Sequence, residues 1–327
     1  MKLAFLFPGQ GSQVVGMGQD FYQALPDAQA LFELADSLLP VDAETQQTFS
    51  QVVFQGPESS LKRTITTQPA MLIVSLLCLQ AFQQAMPNVQ PVAVAGHSLG
   101  EFSALVAAKV LTPEAALRLV KERALLMEVA PAGTMAAVLG LEADTVRATL
   151  AQLPPYGDSN KTWAVLANDN CPGQVVISGT PEGIEQATPL LKEAKAKRVL
   201  PLPVGGAFHS PLMQAAADAF TQHIQATSFA EPVVPVVANV TAKANRTASE
   251  VQQALMQQMP SSVQWTATMN TLVNDFGVDT VIEFGSGKVL TGMMKKTHPQ
   301  VTVYNVDTLE SVATVVEALQ ALLATAI

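Results

Sequence analysis

The chain has 327 residues, 49% of them hydrophobic and 14% charged, with a formal net charge of −9. That length buries a sizeable core, that composition excludes a disordered chain, and the acidic balance argues against nucleic acid or an anionic membrane as partner. The two cysteines, Cys78 and Cys171, match no metal or redox spacing, so neither a metal nor a cofactor is expected.

In chain order, Leu3 to Phe7 reads as a strand ending in the turn Pro8-Gly9-Gln10-Gly11-Ser12-Gln13. Pro69 to Met86 reads as a buried helix carrying Cys78. Its apolar run, Met71 to Leu79, is too short to span a bilayer, and the N-terminus lacks a signal-peptide core, so a cytoplasmic protein is expected. Pro91 to Ala95 is a strand and a helix follows from Glu101. Thr112-Pro113-Glu114 starts another helix that runs to about Ala130. The next seventy or so residues change rhythm. Strand Thr134 to Gly140, helix Glu142 to Leu153, strands Thr162 to Ala167 and Gln174 to Ser178, helix Pro181 to Ala194 and strand Arg198 to Leu202 spell βαββαβ, the ferredoxin-like order. Further buried strands are expected at Pro232 to Ala238 and Thr280 to Phe284. The expected architecture is α/β: a large α/β-hydrolase-like domain with a parallel sheet, residues 1–131 and 204–327, and an inserted ferredoxin-like domain, residues 132–203.

Chemistry enters at Gly96-His97-Ser98-Leu99-Gly100, between a strand and a helix. A sharp strand-to-helix turn pushes the serine hydroxyl out of the sheet, and the helix N-terminus favours developing negative charge there. The pattern also arises by chance in Gly/Ser loops, but the flanking elements supply the context it needs. Ser98 is the candidate nucleophile. A serine hydroxyl needs a base, and the chain has four histidines. His97 adjoins Ser98 and supports the loop, while His223 and His298 read as exposed. His209, in the loop Gly205 to Pro211 that leaves the small domain, is the candidate base.

Arg123 is the second anomaly. Ala116, Val120, Arg123 and Met127 form one buried stripe, whereas Arg118 has Glu114 and Glu122 four residues away on either side. A guanidinium on an apolar stripe needs an anion from elsewhere, either a distant carboxylate of the chain or that of a substrate. The turn at Pro8 to Gln13 offers backbone N–H groups of the kind an oxyanion hole uses. Basic clusters at Lys62-Arg63, at Lys192, Lys195, Lys197 and Arg198, and at Lys288, Lys295 and Lys296 read as solvated faces or as contacts for an anionic partner.

These stretches together resemble the malonyl-CoA:acyl-carrier-protein transacylases and the related acyltransferase domains of polyketide synthases. The matching segments are FPGQGSQ (Phe7 to Gln13), TQPA (Thr67 to Ala70), GHSLGE (Gly96 to Glu101), the Arg123 helix, PGQVVISG (Pro172 to Gly179), AFHSPLM (Ala207 to Met213), NVTA (Asn239 to Ala242), VQW (Val263 to Trp265) and GKVLTG (Gly287 to Gly292). The resemblance implies that Ser98 takes up the acyl group and that His209 is its base. It implies that the backbone carbonyl of Gln264 orients His209, and that the N–H groups of Gln10 and Leu99 form the oxyanion hole. Arg123 would bind the malonyl carboxylate, with Gln68 as a supporting polar group. Phe208 resembles the malonyl-selective members, where a bulky ring crowds an α-methyl group. Ser286 stands where members commonly carry proline, and a change in loop rigidity is expected.

The implied reaction is malonyl transfer from malonyl-CoA to acyl-carrier protein through a malonyl-serine, for fatty-acid or polyketide synthesis. A serine hydrolase passing its acyl group to water, and a non-catalytic carrier-protein docking module, are the rival readings. Carrier proteins are acidic, so Lys195, Lys197 and Arg198 are the first candidates for docking. A monomer is the expected state.

Overall fold

The computed structural model describes residues 1–157 and 162–325. Strand β1 (Leu3–Phe7) is followed by four helices, α1 (Gln19–Ala24), α2 (Pro26–Leu38), α3 (Phe49–Gln55) and α4 (Glu58–Leu61). Helix α5 (Thr64–Ala85) then leads to β2 (Ala93–Gly96), α6 (Gly100–Ala107) and α7 (Pro113–Glu128). The small unit comprises β3 (Thr134–Leu139), α8 (Ala143–Leu150), β4 (Ala164–Cys171), β5 (Gln174–Gly179), α9 (Pro181–Glu193) and β6 (Arg198–Pro201). The chain returns through α10 (Gln214–Ala226), β7 (Val236–Val237), β8 (Ala244–Asn245), α11 (Ala248–Met256) and α12 (Trp265–Asn270), which runs on as a wider turn over Thr271–Asp275. It closes with β9 (Thr280–Phe284), α13 (Val289–Thr297), β10 (Thr302–Val306) and α14 (Leu309–Thr325).

The large sheet runs β10-β9-β1-β2-β7-β8, parallel except for the last pair. Both faces are covered, which is why its central strands read as unbroken apolar runs. Side chains alternate between two cores: Leu3, Phe5 and Phe7 join one, Ala4 and Leu6 the other. In the first, Phe5 meets Phe284 edge to face at 4.9 Å and Phe82 lies 5.3 Å from Phe284. Helix α5 packs there. Its 22 residues would be long and apolar enough to cross a membrane, but here they are buried inside the protein, with Cys78 fully enclosed.

The small sheet is antiparallel, ordered β4-β5-β3-β6, and α8 and α9 supply its apolar core. Its two crossings to the large unit lie side by side, joined by a bridge between Ala132 and Gly206 and by Gly133 N–H donating to Gly205 O at 3.3 Å. A third tie comes from β4. Asp169 N–H donates to Val263 O and Val263 N–H to Ala167 O, both at 2.9 Å. Register shifts in β4 at Leu166/Asn168 and Asp169/Cys171 re-aim its side chains at this junction.

The expected strand Pro232 to Ala238 shrinks to Val236–Val237. Its first part turns away, with Val233 N–H bonding Ala108 O just after Ala230 N–H bonds Val110 O, while Pro232 and Pro235 have no N–H to offer a ladder.

Candidate active site

The serine turn is built by close backbone approach. A Cβ on Gly96 would lie 1.9 Å from Gly100 O, and one on Gly100 would lie 2.0 Å from Phe7 O. Only glycine fits either place. The compression forces Ser98 to a φ of +50°, a left-handed conformation that costs a non-glycine residue of the order of 1–3 kcal/mol. Asn239, fully buried, holds the turn: its Oδ1 accepts from Ser98 N–H at 2.6 Å and its Nδ2 donates to Gly96 O at 2.7 Å.

His209 also has a positive φ, +56°, and its Nε2 lies 2.7 Å from Ser98 Oγ. Its Nδ1 lies 3.1 Å from the carbonyl oxygens of both Gln258 and Ser261. Carbonyls only accept, so the proton sits on Nδ1 and Nε2 presents its lone pair to the Ser98 hydroxyl. The orienting carbonyls are therefore those of Gln258 and Ser261, and the expectation for Gln264 is corrected. Gln264 precedes α12, so its carbonyl accepts from Thr268 N–H at 2.8 Å, and its own N–H donates to Asn239 O. No aspartate among the described residues bonds the His209 ring.

Burial, and then the positive charge of Arg123, push the His209 pKa down to about 3. The ring therefore stays neutral, and able to accept a proton, throughout the usual histidine range. Single-turnover acylation of Ser98 is expected to show no inflection between about pH 8 and about pH 5.5. A limb near the ordinary histidine value of 6.5 would refute this.

Arg123 is 1% exposed on α7, beside the buried Ala116, Val120 and Met127. Its Nη1 donates to Gln68 Oε1 at 2.7 Å; its Nη2 donates to Gln258 Oε1 at 2.9 Å and to Ser98 Oγ at 3.1 Å. Its Nε has no partner among the described residues. No carboxylate there forms an ion pair with it, whereas Arg63 pairs with Glu128 and Asp42, and Arg118 with Glu114. Burial lowers its pKa to about 10, so it remains charged at neutral pH. Of the two anion sources left open by the sequence, the distant internal carboxylate is thus absent as a contact partner among the described residues.

Ser98, His209 and Arg123 line one cavity of about 280 Å³ between the two sheets, at the carboxyl ends of β1 and β2. Gln10, Gln68, Leu99 and Phe208 line it too. The loop after β1 lies against the serine turn so closely that a Cβ on Gly9 would sit 2.5 Å from His97 O. The backbone N–H groups of Gln10 and Leu99 are not spent on other groups among the described residues. Phe208 is 7% exposed, and its ring occupies the space that a Cβ on Gly206 would need. From the small sheet, Asn170 Oδ1 accepts from His97 Nε2 at 2.9 Å, which makes His97 the loop support expected of it. His298 is half-buried against Asn270 rather than exposed. Ser286 Oγ donates to Ser12 O at 2.8 Å, tying the loop after β9 to the loop after β1.

Sequence reasoning missed Gln258 and Ser261 as parts of the site, and Glu101 lay inside the quoted GHSLGE segment without a role of its own. Asn239 lay inside a quoted segment without a role. Nothing in local spacing marks a backbone carbonyl or an amide that reaches across the fold. The Lys62-Arg63 cluster is occupied by ion pairs with Glu58, Asp42 and Glu128, while Lys195, Lys197 and Arg198 are exposed.

The chain matches the family model described as the acyl transferase domain over residues 4–323. It is 40% identical over 322 residues to a malonyl CoA-acyl carrier protein transacylase of Bacillus subtilis (strain 168), covering 98% of each. It is 38% identical over 310 residues to the protein of the same name from Synechocystis, covering 95% of this chain and 98% of that relative. A crystal structure of an acyl carrier protein S-malonyltransferase from Vibrio cholerae superposes with a TM-score of 0.86 at 36% identity, over 96% of this chain and 100% of that one. A malonyl-transacylase in complex with its type II PKS acyl-carrier protein superposes with a TM-score of 0.88 at 34% identity, over 97% of this chain and 100% of the other.

Proposed function

The chain belongs to the acyl transferase domain family, and on that premise we propose that it moves a malonyl group from malonyl-CoA to the phosphopantetheine thiol of acyl-carrier protein. The observation that carries the reading is a buried, charged Arg123 with no contact carboxylate among the described residues, 3.1 Å from a serine that is hydrogen-bonded to a neutral histidine. That is a receptor for an acyl group ending in a carboxylate.

Ser98 gives its hydroxyl proton to His209 Nε2 as Oγ attacks the thioester carbonyl. The Gln10 and Leu99 N–H groups receive the oxyanion, and donors of this kind are typically worth about 10²–10³ in rate. The C–S bond breaks, the CoA sulfur leaves with the proton from His209, and a malonyl-serine ester remains. The carrier thiol then gives its proton to His209 and attacks the ester; as that bond breaks, Ser98 recovers the proton. Gln68 holds Arg123 in place, and Phe208 crowds a branched acyl group. One methyl is worth about 1–3 kcal/mol of discrimination. The exposed Lys195, Lys197 and Arg198, near the loop that bears His209, suit an acidic carrier.

We read the large unit, residues 1–131 and 204–327, as α/β-hydrolase-like on the strength of its parallel sheet and serine turn. The insert, residues 132–203, reads as ferredoxin-like because its strand order is β6-β3-β5-β4 with two helices on one face. A hydrolase would share the serine turn but has no use for Arg123.

Intact-protein mass spectrometry after brief mixing with malonyl-CoA tests the reading. Wild type is expected to gain one malonyl group, lost on adding phosphopantetheinylated carrier protein, and Ser98→Ala to gain none. Continuous CoA release with no adduct would favour the hydrolase instead.

A further inference from the structure

Arg123 lies close to a buried carboxylate without touching it, and one side chain separates them. Glu101, 2% exposed at the start of α6, accepts from Gln258 Nε2 at 2.7 Å. Gln258 Nε2 also donates to Ser98 O at 2.9 Å, and its Oε1 accepts from Arg123 Nη2 at 2.9 Å. The orientation of this amide is dictated by its partners. The Ser98 carbonyl only accepts and the guanidinium only donates, so Nε2 must face the former and Oε1 the latter. The order Glu101, Gln258, Arg123 is therefore fixed: carboxyl, amide, cation, with burial raising the Glu101 pKa to about 7 against the bond from Gln258 and the charge of Arg123.

We infer that the Gln258 side chain sets acyl selectivity by standing between Glu101 and Arg123, so that the guanidinium is electrostatically supported but keeps no contact counterion of its own. A contact ion pair would satisfy Arg123 internally and remove its reason to bind a substrate carboxylate. With an amide in between, Glu101 still offsets part of the cost of burying a cation, and the malonyl carboxylate supplies the missing contact. Gln258 is thus a positioning residue. Its backbone carbonyl, which orients His209, is untouched by side-chain replacement.

The inference rests on the malonyl reading, and the experiment separates the two. Malonyl and acetyl loading of Ser98 are measured by intact mass for wild type and for two double variants, with folding checked by thermal melting. Glu101→Gln with Gln258→Glu exchanges the two groups at constant charge and puts a carboxylate on Arg123. Glu101→Gln with Gln258→Met leaves no carboxylate in the chain of contacts. Both remove the donor to Ser98 O, and reading the malonyl-to-acetyl ratio removes any effect common to the two acyl groups. The exchange variant is expected to lower the malonyl-to-acetyl ratio by about 10- to 100-fold, the worth of a charge-assisted hydrogen bond. The methionine variant is expected to keep the wild-type preference. An exchange variant with an unchanged ratio overturns the inference, as does a methionine variant that loses its preference. Should the exchange variant not fold, Gln258→Glu alone carries the same expectation. If wild type takes up no malonyl group at all, the function reading fails and this inference with it.

Discussion

Replacing Arg123 with alanine is expected to invert the acyl preference of Ser98 rather than abolish its reactivity. In the intact site the guanidinium is fully buried and its Nε has no partner among the described residues, so an acetyl group leaves the cation short of an anion. A malonyl carboxylate supplies one. Removing a partner from a buried charge pair costs about 3–5 kcal/mol, or at least 10²-fold in rate, and malonyl loading of Arg123→Ala should fall by that order. Acetyl loading should hold or rise, for two reasons. The empty stripe position no longer buries a cation, and the charge that lowers the His209 pKa is gone. The loss of the Nη2 bond to Ser98 Oγ works the other way, but equally on both acyl groups. The measurement is the ratio of malonyl to acetyl adduct after equal times; a variant that keeps its malonyl preference would show that Arg123 is not the carboxylate receptor.

The second large effect is expected at His209. Without a base the Ser98 hydroxyl must attack undissociated, and general-base catalysis typically supplies about 10²–10⁴ in rate. Single-turnover CoA release from His209→Ala should be slower by that range, with Arg123 and the oxyanion donors still in place. Alanine at a φ of +56° adds backbone strain, whereas asparagine tolerates that region and cannot serve as base. His209→Asn should therefore fold at least as well and be just as slow. Rates within tenfold of wild type in both variants would exclude the base role.

The serine turn was legible because its chemistry is local. Gly96 ends β2 and Gly100 opens α6 with Ser98 between them, and a backbone that tight admits only glycine at Gly96 and Gly100. Arg123 was legible from helical spacing, since its neighbours on the stripe could offer it nothing polar. The βαββαβ order could be read because its strands and helices carry local periods, and α9 a local cap, Thr180 accepting from Gly183 N–H. The four helices between β1 and α5 and the closing β10 and α14 lay outside that reading. Their apolar side chains join a core completed by residues far away in sequence, on α5 and the large sheet.

What orients His209 could not be read in the same way. The resemblance pointed to Gln264, but α12 begins one residue later and consumes that carbonyl, so the task falls to Gln258 and Ser261 on the preceding turn. The same holds for the chain of contacts from Glu101 through Gln258 to Arg123, whose members are 157 and 135 residues apart in sequence. Residue types and short spacings point to candidates for nucleophile, base and cation. Which carbonyl faces the imidazole, and which amide stands between a carboxylate and a guanidinium, is decided when separate elements pack. A side chain that acts across the fold leaves no period and no motif in its own neighbourhood.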